Sequence, residues 1–206
     1  MKLKLLFILL SLSFSVNAQY EEWGNGKIYL KDGTVKEGLV RFYYAGKGTF
    51  GEGGNEKMRY KTERNKPSQK ISAKDVDSIR FDVINSKKAR GKITKKKRSA
   101  LFVSIAKNEK KTKFGFAELV EKGKVNVLKR SLTDSHEPKM KAIIETLFMR
   151  EGEPAVGFSL IELKSFKNRA IEYFEDCPSL VVKLEKKQFG RSDLLKIAEY
   201  YNSNCL

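Results

Sequence analysis

The chain has 206 residues, of which 40% are hydrophobic and 33% charged, and its formal net charge is +17. This length suffices for one good core, or for one larger and one smaller packed unit. The excess of positive charge favours anionic partners, although net charge says nothing about the fold. With one histidine and two cysteines, the chain is poorly equipped for a zinc site or a dithiol redox centre.

Residues 1–18 are typical of a secretory signal peptide. Lys2 and Lys4 supply the positive charge, Leu5–Leu10 begin an apolar stretch, and Val16-Asn17-Ala18 resembles a cleavage site. The alternative is an uncleaved anchor, but the apolar run is short for a membrane span. We therefore expect an exported protein, periplasmic or extracellular, with no transmembrane span after cleavage.

Residues 19–160 contain at least seven short apolar runs with closely spaced turn signals. Asp32-Gly33 lies between two β-type runs and predicts a two-residue hairpin turn, whereas Gly38 predicts a bulge or bend. Because no crossover helix intervenes, the runs predict an antiparallel β-sheet or a small β-barrel. Strands are expected around Ile28–Leu30, Val35–Tyr44, Met58–Lys61, Val76–Val83, Leu101–Ile105, Phe114–Val120, Val125–Leu128, Ile143–Met149 and Ala155–Phe158.

A basic insert spans residues 87–113 and holds twelve lysines and arginines but one acid, Glu109. Like charges repel and resist burial, so residues 87–98 are predicted to form an exposed hairpin loop or a mobile segment. The candidate anion-binding residues are Lys87, Lys88, Arg90, Lys92, Lys95, Lys96, Lys97 and Arg98.

Three interpretations of the basic insert remain open. It is a solvated loop, or a contact site for anionic lipid, lipopolysaccharide or acidic polysaccharide, or a nucleic-acid-binding segment. The basic run has no interleaved aromatic residues to stack bases, and export removes the usual nucleic-acid targets. Envelope proteins are further candidate partners.

Residues 161–206 predict three short helices closed by a disulfide. Apolar residues recur at helical spacing from Phe166, Pro178 starts a second helix, and Ser192 is a candidate cap for the third. Cys177 and Cys205 are the only cysteines, and export makes their pairing the favoured prediction. The alternative is two unpaired buried thiols.

No catalytic, metal-binding or cofactor-binding residues are predicted. His136, the only histidine, is interpreted as a loop residue, because a catalytic partner would have to come from elsewhere in the chain. Glu175 and Asp176 are neighbours on a helix and do not face each other. Glycosidases work with carboxylates alone, so a carboxylate-dependent hydrolase stays open as an alternative.

Three segments resemble the uncharacterised exported proteins of Bacteroidota-type bacteria. They are the signal ending at Val16-Asn17-Ala18-Gln19, the hairpin Ile28–Thr34, and the tail in which Tyr173–Pro178 is followed by Tyr200–Cys205. The resemblance implies a signal peptide, a β-rich domain and a paired-cysteine helical C-terminus. It implies no activity and no catalytic residue.

The sequence thus predicts an exported α+β protein in three parts. These are a signal peptide at 1–18, a β-rich domain at 19–160 with the basic insert at 87–113, and a disulfide-closed helical unit at 161–206. The favoured function is a non-enzymatic cell-envelope interaction or structural protein that contacts anionic envelope surfaces through the insert. The alternatives are an exported nucleic-acid-binding protein and a carboxylate-dependent hydrolase.

Overall fold

The computed structural model describes residues 23–42, 46–47, 56–89, 92–134, 142–158 and 165–205. The predicted signal peptide, Arg90 and His136 lie outside these residues. Eleven of the described segments are strands of one sheet. They are β1 (Gly24–Leu30), β2 (Val35–Phe42), β3 (Gly46–Lys47), β4 (Lys57–Lys61), β5 (Gln69–Ser72), β6 (Val76–Ala89), β7 (Lys92–Ala106), β8 (Phe114–Glu121), β9 (Val125–Asp134), β10 (Ala142–Arg150) and β11 (Val156–Gly157).

The sheet runs in the order β11-β10-β9-β8-β7-β6-β1-β2-β4-β5, and each neighbouring pair in this path is antiparallel. Off the path, β3 pairs in parallel with β9 through Gly46 and Thr133. Among the described strands, β5 and β11 end the path without pairing with each other. The predicted α+β class is therefore confirmed, with an open antiparallel sheet rather than a closed barrel.

The first half of the sheet has one apolar core, into which alternate residues of β2 and β4 point. Phe42 lies at the centre of this core, with ring centroids 5.5 Å from Phe81, 4.8 Å from Phe102 and 5.2 Å from Phe116. The core joins strands from both sides of β1. Its fully buried members are Ile28, Val40, Met58, Ala73, Val76 and Ile79.

Three helices pack on the other half of the sheet. They are α1 (Phe166–Tyr173), α2 (Pro178–Glu185) and α3 (Leu194–Asn204). Val127 of β9 and Phe148 of β10 lie beneath them in a shared cluster, whereas the next residues in register, Leu128 and Leu147, belong to a separate cluster with Ile105. Both faces of β9 and β10 therefore carry buried apolar side chains.

The helix boundaries follow local chemistry. The Ser165 hydroxyl accepts a hydrogen bond from the Asn168 N–H and begins α1, and Pro178 occupies the first turn of α2. The predicted cap at Ser192 is wrong. A 3₁₀ turn precedes α3, and the Asp193 carboxylate accepts a hydrogen bond from the Gly190 N–H at 3.0 Å.

Two details of the β1–β2 hairpin differ from the sequence-based prediction. The turn has three residues rather than two, because the Leu30 N–H donates to the Thr34 carbonyl and Gly33 alone takes a left-handed φ of 85°. The bulge expected at Gly38 is absent from the β1–β2 register. A Cβ at Gly38 would lie 2.5 Å from the carbonyl oxygen of Lys61, so close approach of β4 requires glycine there.

Candidate functional site

Residues 87–98 were predicted to form an exposed hairpin loop or a mobile segment, and the structure places most of the candidate residues in the two long paired strands of a hairpin. β6 pairs with β1 only as far as Phe81, and β8 pairs with β7 only from Leu101 onward. Between these limits, β6 and β7 pair with each other from Asp82–Ser99 to Ala89–Lys92 and with no other described strand. We call residues 82–89 and 92–99 the basic ribbon; at about 3.4 Å per residue, each strand is roughly 27 Å long.

The ribbon leaves the core at a definite point. Phe81 and Ala100 are directly paired and are 8% and 5% exposed, whereas the next pair along the hairpin, Asp82 and Ser99, is not buried. The density of lysines in the ribbon is compatible with regular pairing, because the pairing of the two strands is made by backbone hydrogen bonds.

Two of the eight candidate anion-binding residues are held in ion pairs at the root of the ribbon. Lys97 Nζ lies 2.9 Å from Asp82 Oδ2, although the Lys97 side chain is 61% exposed. Arg98 forms a bidentate pair with Glu118, in which Nη2 lies 2.7 Å from Oε2. The Arg98–Glu118 pair joins the ribbon to β8, whereas the Lys97–Asp82 pair lies within the ribbon. For Lys87, Lys88, Lys92, Lys95 and Lys96 the structure places the backbone within the ribbon.

A second charged cluster joins the two halves of the sheet. The Glu56 carboxylate bonds Arg130, lies 3.5 Å from Lys107 Nζ, and accepts the Phe116 N–H at 2.9 Å. The Glu56, Arg130 and Lys107 side chains are only 12%, 16% and 9% exposed. We call these three residues the ion trio. A Cβ at Gly115 would lie 2.7 Å from Glu56 Oε1, so glycine makes room for the carboxylate.

The helices are attached to the sheet by a third polar cluster. Arg150 of β10 donates to the Tyr173 carbonyl at 2.9 Å and to Asp176 at 2.8 Å, and the Tyr201 hydroxyl donates to Asp176 at 2.5 Å. Burial alone would raise the pKa of Asp176, but the hydrogen bonds from Tyr201 and Arg150 hold it below its usual value. The ionised Asp176 carboxylate is suited to holding the helices on the sheet, whereas a general acid needs a raised pKa.

An open cleft of about 690 Å³ lies beside this cluster, between β11, α1 and the turn after β7. Glu153 and Glu172 line it together with Lys107, Arg150 and Tyr173. Burial raises the pKa of Tyr173 to about 12, so the phenol stays protonated. The lining of the cleft thus combines carboxylates, cations and a neutral phenol.

The predicted disulfide is confirmed. Cys177 and Cys205 are bonded, with Cα atoms 5.5 Å apart, and both are almost fully buried in the cluster beneath the helices. The Lys124 ammonium donates to the Cys205 carbonyl, and the Asn202 amide bonds both the N–H and the carbonyl of Val125. The last helix is thus fastened to β9 as well as to Cys177.

Within the described ranges, no group of three or more His, Cys, Asp or Glu side chains could hold a metal ion. None of the helices in those ranges is long and apolar enough to cross a membrane. Comparison with protein-family models, with curated proteins and with solved structures finds no match for this chain. The function must therefore be argued from the residues themselves.

Proposed function

We propose that this is an exported, non-enzymatic envelope protein whose basic ribbon binds anionic lipid or lipopolysaccharide surfaces. The observation that carries the proposal is the composition of the ribbon: seven cations and one acid, Asp82, in two strands that pair with no other described strand. Lysine suits this contact, because its long stem carries the ammonium group to the headgroups.

The ribbon favours a lipid surface over nucleic acid. No aromatic residue occurs from Asp82 to Ser99, so the ribbon offers no platform on which bases could stack. Each lysine held near an anionic membrane surface contributes about 1 kcal/mol. Removing three ribbon lysines should therefore cost about 3 kcal/mol, or roughly 150-fold in affinity.

The test is vesicle binding across a salt series. The mature protein is mixed with phosphatidylcholine vesicles with and without phosphatidylglycerol, and a K92Q/K95Q/K96Q variant is compared with the wild type. The control variant, K66Q/K74Q/K186Q, removes the same number of charges at exposed positions outside the ribbon. We expect salt-sensitive binding to anionic vesicles that only the ribbon variant loses.

Two outcomes would contradict the proposal. Equal losses in the two variants would mean that net charge, rather than the ribbon, drives binding. Tighter binding of a single-stranded oligonucleotide than of anionic vesicles would favour the nucleic-acid alternative.

Export needs its own experiment. Support comes from the signal-like pattern of residues 1–18 and from the Cys177–Cys205 disulfide, which suits an oxidising compartment. Mass spectrometry of the protein from its native cells should find Gln19 at the amino terminus and thiols that resist alkylation. A cytoplasmic protein that retains residues 1–18 would disprove export.

A further inference from the structure

The outer edge of β7 has no described partner strand along the basic ribbon. β8 covers this edge from Ala106 to Leu101, where the pairing of the two strands ends. From Ser99 to Lys92, β7 pairs with β6 on its other side and with no further described strand. Successive residues of a strand direct their N–H and C=O groups to opposite sides, so about half of these residues direct theirs to the outer edge. The segment contains no proline, and each of its residues therefore keeps the N–H donor.

This edge carries more cations than the strands that end the sheet. Residues 92–99 hold five lysines and arginines and no acid. Among the described strands, β5 ends the sheet on one side with a single cation, Lys70, and β11 ends it on the other with none. Lysines on an edge deter pairing with neutral and cationic strands, a second copy of this edge included. The same charges favour a strand that bears carboxylates.

One strand of the protein already binds this edge of β7 in that way. β8 lies antiparallel to β7, with Glu118 opposite Phe102. From that position the Glu118 carboxylate forms its bidentate pair with Arg98, which lies beyond the end of the pairing with β8. Backbone pairing and a carboxylate thus act together on one edge. Beyond Arg98 the edge continues with three lysines among its next residues, at positions 97, 96 and 95.

We propose that the outer edge of β7 binds an acidic, extended segment of another protein by adding it to the sheet as a further strand. The added strand runs in line with β8 and antiparallel to β7, along residues 92–98. Backbone hydrogen bonds supply affinity in such a contact, and the carboxylates supply specificity. The inference concerns the backbone edge, whereas the contact with lipid needs only the charge of the ribbon, so neither proposal depends on the other.

The test uses a peptide of four Glu-Thr repeats, acetylated and amidated, as the probe. One control peptide replaces glutamate by glutamine and lacks the carboxylates. A second control is methylated at each amide nitrogen, so that it keeps the carboxylates but has no N–H donors. The wild type should bind the probe in a salt-sensitive manner and each control at least tenfold more weakly. Amide hydrogen exchange in residues 92–98 should slow at least fivefold when the probe is bound.

Two protein variants with matched charge locate the contact. K95Q/K96Q removes two charges from β7, and K87Q/K88Q removes two from β6 in the same ribbon. The first should weaken binding of the probe at least fivefold and the second less than twofold, because β6 lies one strand further from the outer edge. Anionic vesicles meet the charge of the whole ribbon and should bind the two variants equally. Circular dichroism checks that both variants fold, and the control peptides test the wild type if one does not.

The inference is overturned if the wild type does not bind the probe, if the methylated probe binds as tightly, or if the two variants lose equally. Self-association of the wild type through residues 92–98 would assign the edge to a second copy of this chain and would overturn it as well. Vesicle binding without probe binding would refute this proposal and leave the lipid contact standing. Failure of the edge is therefore distinguishable from failure of the ribbon's contact with lipid.

Discussion

Replacing Glu56 by glutamine should destabilise the protein strongly, because it removes the acid from the ion trio. Arg130 and Lys107 would remain close to each other, largely shielded from water, with the Glu56 carboxylate gone. Breaking a buried ion pair from one side typically costs 3–5 kcal/mol, and the residual exposure of this trio places the expected loss near 3 kcal/mol. For a chain of this size that corresponds to a fall in melting temperature of about 6–12 °C.

Urea denaturation followed by far-ultraviolet circular dichroism would measure the loss. The matched control is Glu37→Gln, which removes a carboxylate from an exposed pair with Lys27 and should leave the free energy of unfolding unchanged. A double-mutant cycle with Arg130→Gln isolates the interaction between Glu56 and Arg130. If the coupling free energy is below about 0.5 kcal/mol, the argument that the trio holds the two halves of the sheet together is refuted.

Three further changes test the region around the helices. Replacing Cys177 and Cys205 by alanine should cost about 3–4 kcal/mol, since it opens a loop with a sequence separation of 28, and an unchanged urea midpoint would contradict this. Tyr173→Phe should not lower stability at neutral pH and should raise it slightly, because the buried hydroxyl makes no hydrogen bond of good geometry in the described part of the chain. Its pKa of about 12 exceeds the unfolded value near 10, so the wild type gradually loses about 1 kcal/mol as pH rises through that window, after a discount for solvent exposure, and the phenylalanine variant should not. Identical alkaline denaturation curves for the two proteins would disprove that assignment. Asn202→Ala removes both hydrogen bonds to Val125 and should cost about 1–3 kcal/mol by urea denaturation, whereas a cost near zero would mean that water replaces them.

Local pattern explains why most strands were predictable. Residues 57–61 alternate between buried and outward positions, and residues 114–121 begin with Phe114 and Phe116 beside the same core. In each such segment the alternation of apolar and polar residues predicts a strand from a few neighbouring positions, because side chains alternate across a strand. The start of α2 was predictable for the same reason, because Pro178 marks it through chemistry that needs no distant partner.

What the sequence alone did not predict depends on distant pairings. Glu56 meets Arg130 across 74 positions, and Asp176 meets Arg150 across 26. The residues next to a charged side chain in the sequence do not indicate which distant residue it will pair with. The length of β6 and β7 was underestimated for another reason: lysines outnumber apolar residues in the ribbon, although its backbone pairing is regular. The composition predicted the charge of the ribbon but not the length of its paired strands.

The attachment of α3 to β9 has a consequence for the order in which the chain can fold. Val125 and Val127 are fully buried, and they share a cluster with Ile197 and Tyr201, which the ribosome makes about 70 residues later. During synthesis the apolar face of β9 therefore stays uncovered until α3 has left the ribosome. A premature stop before α3 would leave that face open to chaperones and proteases. The fold can therefore be completed only after residue 201 has been synthesised.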